Sequence, residues 1–330
     1  MRKRSDCGLS HDLPQEFSGS RANDIARPNC PTCAVQALDQ ADRFSSASFT
    51  RRIVKGNAMD FTEYQTIIFE KSEDKVATIT INRPAAANSF NKQMCLEFRD
   101  VWERIRIDHD VNAVVLRAAP GRFFSTGVDV RDGTNLDIET ASVFMYDDLF
   151  AKVDPGEYLG PKQNRLWKPV VMAVHGMCAG GALYWVNEAD LVICSEDATF
   201  FDPHSTYGNV AALEPIGLRH RVPLSEVLRM ALMGNDERIG AETALRISLV
   251  TEVTKREDLW ERAHDLAAKI AAKPSVATQG TVRAIWESLD VGRSIALQTG
   301  LKYCQLGVGR GTAEVDRDSV MARAKMYEIR

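Results

Sequence analysis

From about residue 66 onward the chain carries a regular pattern of apolar and polar positions. Residues 66–70 and 76–81 alternate as strands, with Ser72-Glu-Asp as the turn between them. Over 91–106 the apolar residues Met94, Phe98, Val101, Trp102 and Ile105 recur at helical spacing, which predicts a helix. Residues 112–117 and 170–174 are continuous apolar runs of buried-strand length, and 191–194 and 198–201 read as two more strands. A helix over 241–245 and a short strand over 249–253 follow, then amphipathic helices over 258–272 and 275–289. Strand, strand, helix recurs, which fits an α/β fold of repeated ββα units. Residues 1–58 are polar, rich in Ser, Arg, Asp and Asn, and lack periodicity apart from a short helical pattern over 34–44. They are expected to be a disordered or weakly ordered extension, with Met59 as an alternative start. The expected organisation is that extension, a core over 59–255 and a helical region over 256–330.

Composition narrows the function classes. The 330 residues are 45% apolar and 26% charged, ordinary values for a globular protein, and the formal charge of −4 argues against nucleic acid as a partner. No apolar run approaches the roughly 18 residues of a membrane span, and no apolar stretch follows the basic start, so neither a membrane partner nor a secretory signal is expected. The expected compartment is the cytoplasm. Cys95, Cys178, Cys194 and Cys304 sit in helical or strand patterns and are expected to be buried thiols. Cys30 and Cys33 form a C-x-x-C without a second ligand pair, which favours two free thiols. The six histidines are dispersed without metal-ligand spacing, so no metal is expected. Residues 307–311, Gly-Val-Gly-Arg-Gly, lack the lysine ending of a phosphate loop and read as a flexible loop.

Two glycine-bearing stretches carry the chemistry. One is Gly121-Arg-Phe-Phe-Ser-Thr-Gly-Val-Asp129. The other runs from Lys168 through Gly176, Gly180 and Gly181 to Ala182. Each looks like a strand ending in small residues and opening into a helix, where backbone N–H groups stay unpaired and can face an anion. Two such turns facing one another give a two-donor oxyanion hole.

These stretches, with residues 79–91 (Ile-Thr-Ile-Asn-Arg-Pro-Ala-Ala-Ala-Asn-Ser-Phe-Asn), Ala189-Asp190 and Ala198-Thr-Phe200, resemble the crotonase (enoyl-CoA hydratase/isomerase) superfamily over roughly residues 63–273. The resemblance implies a crotonase-like spiral of ββα units with a C-terminal helical trimerisation region, assembled as a homotrimer or dimer of trimers. It implies an acyl-CoA thioester as substrate, an enolate held by the amides of Val128 and Gly181, and no cofactor besides the substrate's own coenzyme A. Arg83, Ala85, Ala87, Ser125, Gly127, Asp129 and Gly180 fall where the family holds coenzyme A and shapes the hole.

The acid/base positions depart from the pattern. Hydratases of the family carry glutamates three residues after the oxyanion glycine and four after the strand aromatic. Here those positions hold Tyr184 and His204. Histidine titrates near neutrality and is the expected general base, with Asp202 to orient it. Tyr184 is a candidate donor to the acyl group, and Glu214 and Glu188 are further candidate acids. His175 is expected to be a structural hydrogen-bonder. Three readings remain open: a hydratase or isomerase with an altered acid/base set, a C–C bond hydrolase of a β-dicarbonyl compound, and a non-catalytic acyl-CoA-binding protein.

Overall fold

The computed structural model describes residues 63–131, 153–322 and 328–329, all within a compact unit running from Asn57 to Arg330. The extension, the Cys30/Cys33 pair, Met59 and the helical pattern over 34–44 lie outside the described residues. The strands are β1 (Ile67–Lys71), β2 (Val76–Ile81), β3 (Ala113–Ala118), β4 (Phe123–Ser125), β5 (Val170–Val174), β6 (Met177–Ala179), β7 (Leu191–Ser195), β8 (Thr199–Phe201), β9 (Ile239–Gly240) and β10 (Glu252–Thr254). They form a six-stranded sheet in the order β1-β2-β3-β5-β7-β10 and a four-stranded sheet in the order β4-β6-β8-β9. Neighbours run parallel except at β1–β2 and β8–β9. Each of β3, β5 and β7 is followed by a short strand in the other sheet, and this doubled strand is the repeat legible in the sequence.

The continuous apolar runs have a physical reason. In β3, Val114 and Leu116 face the main core, while Ala113 and Val115 face a second core on the opposite side of the sheet. In β5, Val170, Met172 and Val174 face the first core, and Val171 and Ala173 the second. A parallel sheet covered on both faces needs no polar alternation.

Helix α1 (Lys92–Ile107) fills the main core with Met94, Phe98, Val101, Trp102 and Ile105. The Asn91 side chain accepts the Met94 N–H at 3.0 Å and caps its start. At its end the buried Lys168 ammonium donates to the Ile105 carbonyl at 2.6 Å and to the Asp108 carbonyl. Burial pulls that ammonium down to about 8. Buried Glu97 accepts the backbone N–H groups of Gln65 and Thr66 at 2.8 and 2.9 Å, which ties the helix to the start of β1.

The remaining helices among the described residues are α2 (Gly156–Leu159), α3 (Leu183–Glu188), α4 (Leu213–Leu218), α5 (Leu224–Met233), α6 (Ala241–Arg246), α7 (Leu259–Ala271), α8 (Ser275–Glu287), α9 (Arg293–Arg310) and α10 (Arg317–Ala322). Helix α7 sets Leu259, Ala263, Ala267 and Ala271, four residues apart, against the second core. Its apolar stripe is therefore covered by the chain's own sheet. Neither α8 nor α9 has a buried residue.

Three sequence expectations are corrected. Residues 307–310 belong to α9 and Gly311 to the 3-10 turn that follows, so this stretch is no loop. A glycine inside a helix costs only about 1 kcal/mol relative to alanine, and a long helix tolerates several. Cys304, on the same helix, is exposed, whereas Cys95, Cys178 and Cys194 are buried and burial raises their thiol pKa values, that of Cys194 to about 12. The short strand lies at Glu252–Thr254, because Leu249 and Val250 are spent as buried anchors before it.

Candidate functional site

The two glycine turns lie against one another. Strands β4 and β6 pair in parallel, so each delivers its turn at the same end of the sheet. Gly127 has φ +83, which glycine adopts at no steric cost. A Cβ on it would stand 2.8 Å from the Gly181 nitrogen and 2.9 Å from the Ala179 carbonyl oxygen. Glycine at 127 is thus what lets the first turn reach the second.

The local hydrogen bonds decide which amides face the gap. Phe90 donates its N–H to the Gly127 carbonyl, and Asp129 donates to the Phe90 carbonyl, both at 2.8 Å. Successive amides along an extended segment point to opposite sides, so the Val128 N–H between them points away from Phe90. Gly181 is the second residue of the 3-10 turn Gly180–Ala182, which runs into α3. Its N–H is one of the donors a helix start leaves unpaired. The Phe90 ring closes the other side: a Cβ on Gly181 would meet its Cε1 at 2.6 Å. Val128 and Gly181 are candidate oxyanion donors on this geometry.

The expected coenzyme A contacts form one strip beside the first turn. Arg83 donates to the Ser89 carbonyl at 2.6 Å and pairs with Asp129 at 3.0 Å. Pro84–Ala86, which includes Ala85, form a 3-10 turn, and Ala87 and Asn88 both lie in the left-handed region at φ 53. The Asn88 side chain holds them there: it accepts the Arg83 N–H at 2.9 Å and donates to the Phe123 carbonyl at 3.1 Å. Buried Ser125 accepts the Gly127 N–H at 3.2 Å. Gly180, at φ 53, sits against Pro203.

Pro203 brings in the titratable group. Strand β8 ends at Phe201, and the next residues form a 3-10 turn, His204–Tyr207. Fully buried Asp202 accepts the His204 backbone N–H at 3.0 Å and bonds ring Nδ1 at 2.5 Å through the same oxygen, Oδ1. This fixes the ring, and Nε2 faces Oε1 of Glu214 at 3.9 Å. Glu214 is buried in the first turn of α4. The hydrogen bond to Asp202 raises the His204 pKa against the opposing effect of burial, and the charges of Asp202 and Glu214 add to the rise. Burial raises that of Glu214, which the His204 charge partly offsets. The histidine is therefore held towards imidazolium.

Tyr184 joins this group to the glycine turns. It lies one helical turn past Gly181 and donates its hydroxyl proton to Oδ1 of Asp154 at 2.8 Å. Burial raises the pKa of that hydroxyl, and the nearby charges of Glu214 and Asp154 add to the rise. Asp154 is half-buried and escaped the sequence reading. Asp-Pro-Gly-Glu over 154–157 signals only a turn, and its partner lies 30 residues away. Glu188 is not part of the group, because its carboxylate accepts the backbone N–H groups of Lys162 and Gln163 at 2.6 and 3.0 Å. His175 is buried, and burial pulls its pKa down to about 4, so it stands neutral, and its Nε2 has no hydrogen-bond partner among the described residues.

A cavity of about 500 Å³ opens beside Tyr184 and Asp154, with apolar walls from Trp167, Leu213, Ile216, Trp286 and Leu289. A larger cleft of about 1980 Å³, between the β1–β2 turn and the C-terminal helices, touches none of the candidate site residues. Asp202, His204 and Glu214 present one ligand atom each within 4.8 Å of one another. Their close contacts are with one another, which suits proton exchange. Among the described residues no helix is long and apolar enough to cross a membrane.

The enoyl-CoA hydratase/isomerase family description matches residues 71–303. The (E)-benzylidenesuccinyl-CoA hydratase of Thauera aromatica is 31% identical over 242 residues, which cover 72% of this chain and 89% of the relative. The mitochondrial Delta(3,5)-Delta(2,4)-dienoyl-CoA isomerase of Dictyostelium discoideum is 28% identical over 242 residues, covering 72% and 82%. The crystal structure of an enoyl-CoA hydratase/isomerase from Mycobacterium paratuberculosis superposes with a TM-score of 0.69 at 33% identity, over 81% of this chain and all of that one.

Proposed function

The chain belongs to the enoyl-CoA hydratase/isomerase family and acts on acyl-CoA, and from that premise we propose that it adds water across the α,β double bond of an enoyl-CoA. The observation that carries this reading is the facing of His204 Nε2 and Glu214 Oε1 across 3.9 Å, with the ring locked by Asp202. In this reading Tyr184 and His204 replace the two usual glutamates, and Glu214 supplies the base.

The thioester oxygen sits between the Val128 and Gly181 amides, which stabilise the negative charge of the enolate. Glu214 takes a proton from water as the water oxygen bonds to the β carbon. The π electrons move onto the thioester oxygen. The enolate then collapses as His204 gives its Nε2 proton to the α carbon. Glu214 is left protonated and His204 neutral, and proton transfer from one to the other resets the site. Isomerisation uses the same pair: one group removes an allylic proton and the other returns one at the far carbon. Arg83, Ala85, Ala87, Ser125, Gly127, Asp129 and Gly180 hold the coenzyme A end, with the Arg83 guanidinium facing phosphate. The cavity beside Tyr184 takes the acyl group. A hydratase among the relatives supports water addition, and the benzylidenesuccinyl-CoA in the T. aromatica enzyme's name suggests a bulky acyl group.

A second reading rests on the Asp202–His204 pair itself, which also suits water activation in hydrolytic cleavage of a β-dicarbonyl compound. Incubation of the protein with enoyl-CoA and β-ketoacyl-CoA esters, followed by mass spectrometry, separates the outcomes. A mass gain of one water supports hydration, an unchanged mass with a moved double bond supports isomerisation, and two shorter acids support cleavage. Bound but unaltered esters would leave an acyl-CoA-binding protein.

A further inference from the structure

The cavity of about 500 Å³ beside Tyr184 joins apolar walls to a one-sided charge. Among the described residues, the carboxylates of Asp154, Glu157, Glu188, Glu287 and Asp290 line it. Against them stand Lys162 and His220. Lys162 is spent within the wall, where its buried ammonium donates to Asp190 Oδ2 at 2.7 Å. Glu188 accepts the backbone N–H groups of Lys162 and Gln163, and Glu287 pairs with Arg283 at 2.7 Å. Asp154, Glu157 and Asp290 form no ion pair among the described residues. Further donors on the wall are engaged too. The Trp286 indole N–H donates to Asp190 Oδ1 at 2.7 Å, and the Asn187 amide to the Glu214 carbonyl at 3.0 Å. The Gln163 amide donates to Glu188 at 2.9 Å. An acyl group entering here meets the indoles of Trp167 and Trp286, the aliphatic side chains of α4 and Leu289, and carboxylates without a counter-charge.

We propose that this cavity filters acyl groups by charge: it takes a bulky, uncharged acyl group and turns away one that ends in a carboxylate. This rests on the reading that the acyl group enters this cavity. A carboxylate placed there would lose its water without finding a cation, beside charges of its own sign. Such a repulsive element separates two acyl groups that the apolar wall alone would hold about equally well. Trp286 keeps that wall in place, because its bond to Asp190 fixes the indole and the Lys162 ammonium lies 5.7 Å from its ring centroid.

The test is calorimetric titration of the full-length protein with two thioesters, 3-phenylpropanoyl-CoA and 3-(4-carboxyphenyl)propanoyl-CoA, and with free coenzyme A. Both acyl chains are saturated, so neither can take up water. The titrations are made at pH 8, above the ordinary histidine range. The phenylpropanoyl ester should bind at least tenfold more tightly than the carboxylated one. Glu157 and Asp290 are exposed and outside the reacting group, and Glu157→Gln with Asp290→Asn should narrow that gap at least threefold. The same double variant should change the affinity for the phenylpropanoyl ester less than twofold. Neutralising two exposed acids that do not line the cavity, Glu103→Gln with Asp110→Asn, should leave the gap as it is. Equal affinities for the two esters overturn the proposal. So does a gap that the cavity variant leaves unchanged, or one that the remote variant narrows as much. Trp286→Ala, shown to be folded by circular dichroism, tests the underlying reading. It should weaken the phenylpropanoyl ester at least fivefold and free coenzyme A less than twofold. If it weakens neither, the acyl group lies outside this cavity and the filter falls with that placement, while water addition is still judged by the mass of the products from enoyl-CoA.

Discussion

One oxygen of Asp202 binds His204 twice, through the backbone N–H at 3.0 Å and through ring Nδ1 at 2.5 Å, while Asp202 itself is fully buried. The histidine cannot rotate without breaking the bond that favours its charged form. This hydrogen bond is the largest cause of the raised His204 pKa. If His204 is the proton donor, activity should fall on the basic side as the imidazolium is lost, at a pH above the ordinary 6.5. Asp202→Asn removes the cause, so the basic limb of the pH–rate profile should move to lower pH. His204→Ala should reduce turnover at least a hundredfold while CoA affinity stays within a few-fold. A basic limb unmoved in Asp202→Asn would place the titrating donor elsewhere.

Buried His175 gives a prediction of opposite sign. Its pKa is about 4 when folded, against 6.5 in an unfolded chain. Above pH 6.5 it is neutral in both states and costs nothing. As pH falls from 6.5 to 4 the unfolded chain gains a proton that the folded chain refuses, and stability is lost. The loss should approach about 3 kcal/mol once the pH is below 4. Urea unfolding of wild type and His175→Gln across this range should show a steeper acid loss in the wild type. Parallel curves would show that the neutral state of His175 is not what burial dictates.

Much of this arrangement was legible in the sequence, and what was not has a common cause. The glycine turns, the helix over 91–106 and the continuous apolar runs of the buried strands are local patterns with fixed spacing. Tyr184 and His204 were found by counting along a motif. Asp154 was not, because its meaning comes from a tyrosine 30 residues on. Nor could spacing show that Glu214 faces His204, since the turn of 204–207 and the start of α4 intervene. The amphipathic pattern of 258–272 was plain, yet only the second core shows that it packs on the chain's own sheet.

That packing moves the expected trimer contact to α8 and α9. Ile285, Ile295, Leu297, Leu301, Leu306 and Val308 are all more than half exposed there. An apolar surface of this kind signals association. Sedimentation at micromolar concentration should show an oligomer, and Leu301→Glu with Leu297→Glu should shift it towards monomer. A wild-type monomer would sink the assembly.

The closeness of the glycine turns makes the sharpest demand on the oxyanion reading. Gly127→Ala places a methyl group 2.8 Å from the Gly181 nitrogen, on a residue at φ +83. Left-handed backbone costs an alanine on the order of 1 kcal/mol, and the contact forces the two amides apart. Backbone atoms line the contact, so no side chain can yield to relieve it. Turnover should fall by at least two orders of magnitude, the loss expected for one oxyanion donor out of place. Affinity for free coenzyme A should change much less, because the thioester oxygen, and not the nucleotide, lies between the amides. Circular dichroism must first show a folded variant. A folded Gly127→Ala enzyme with wild-type turnover would mean that the Val128 and Gly181 amides do not hold the reacting oxygen.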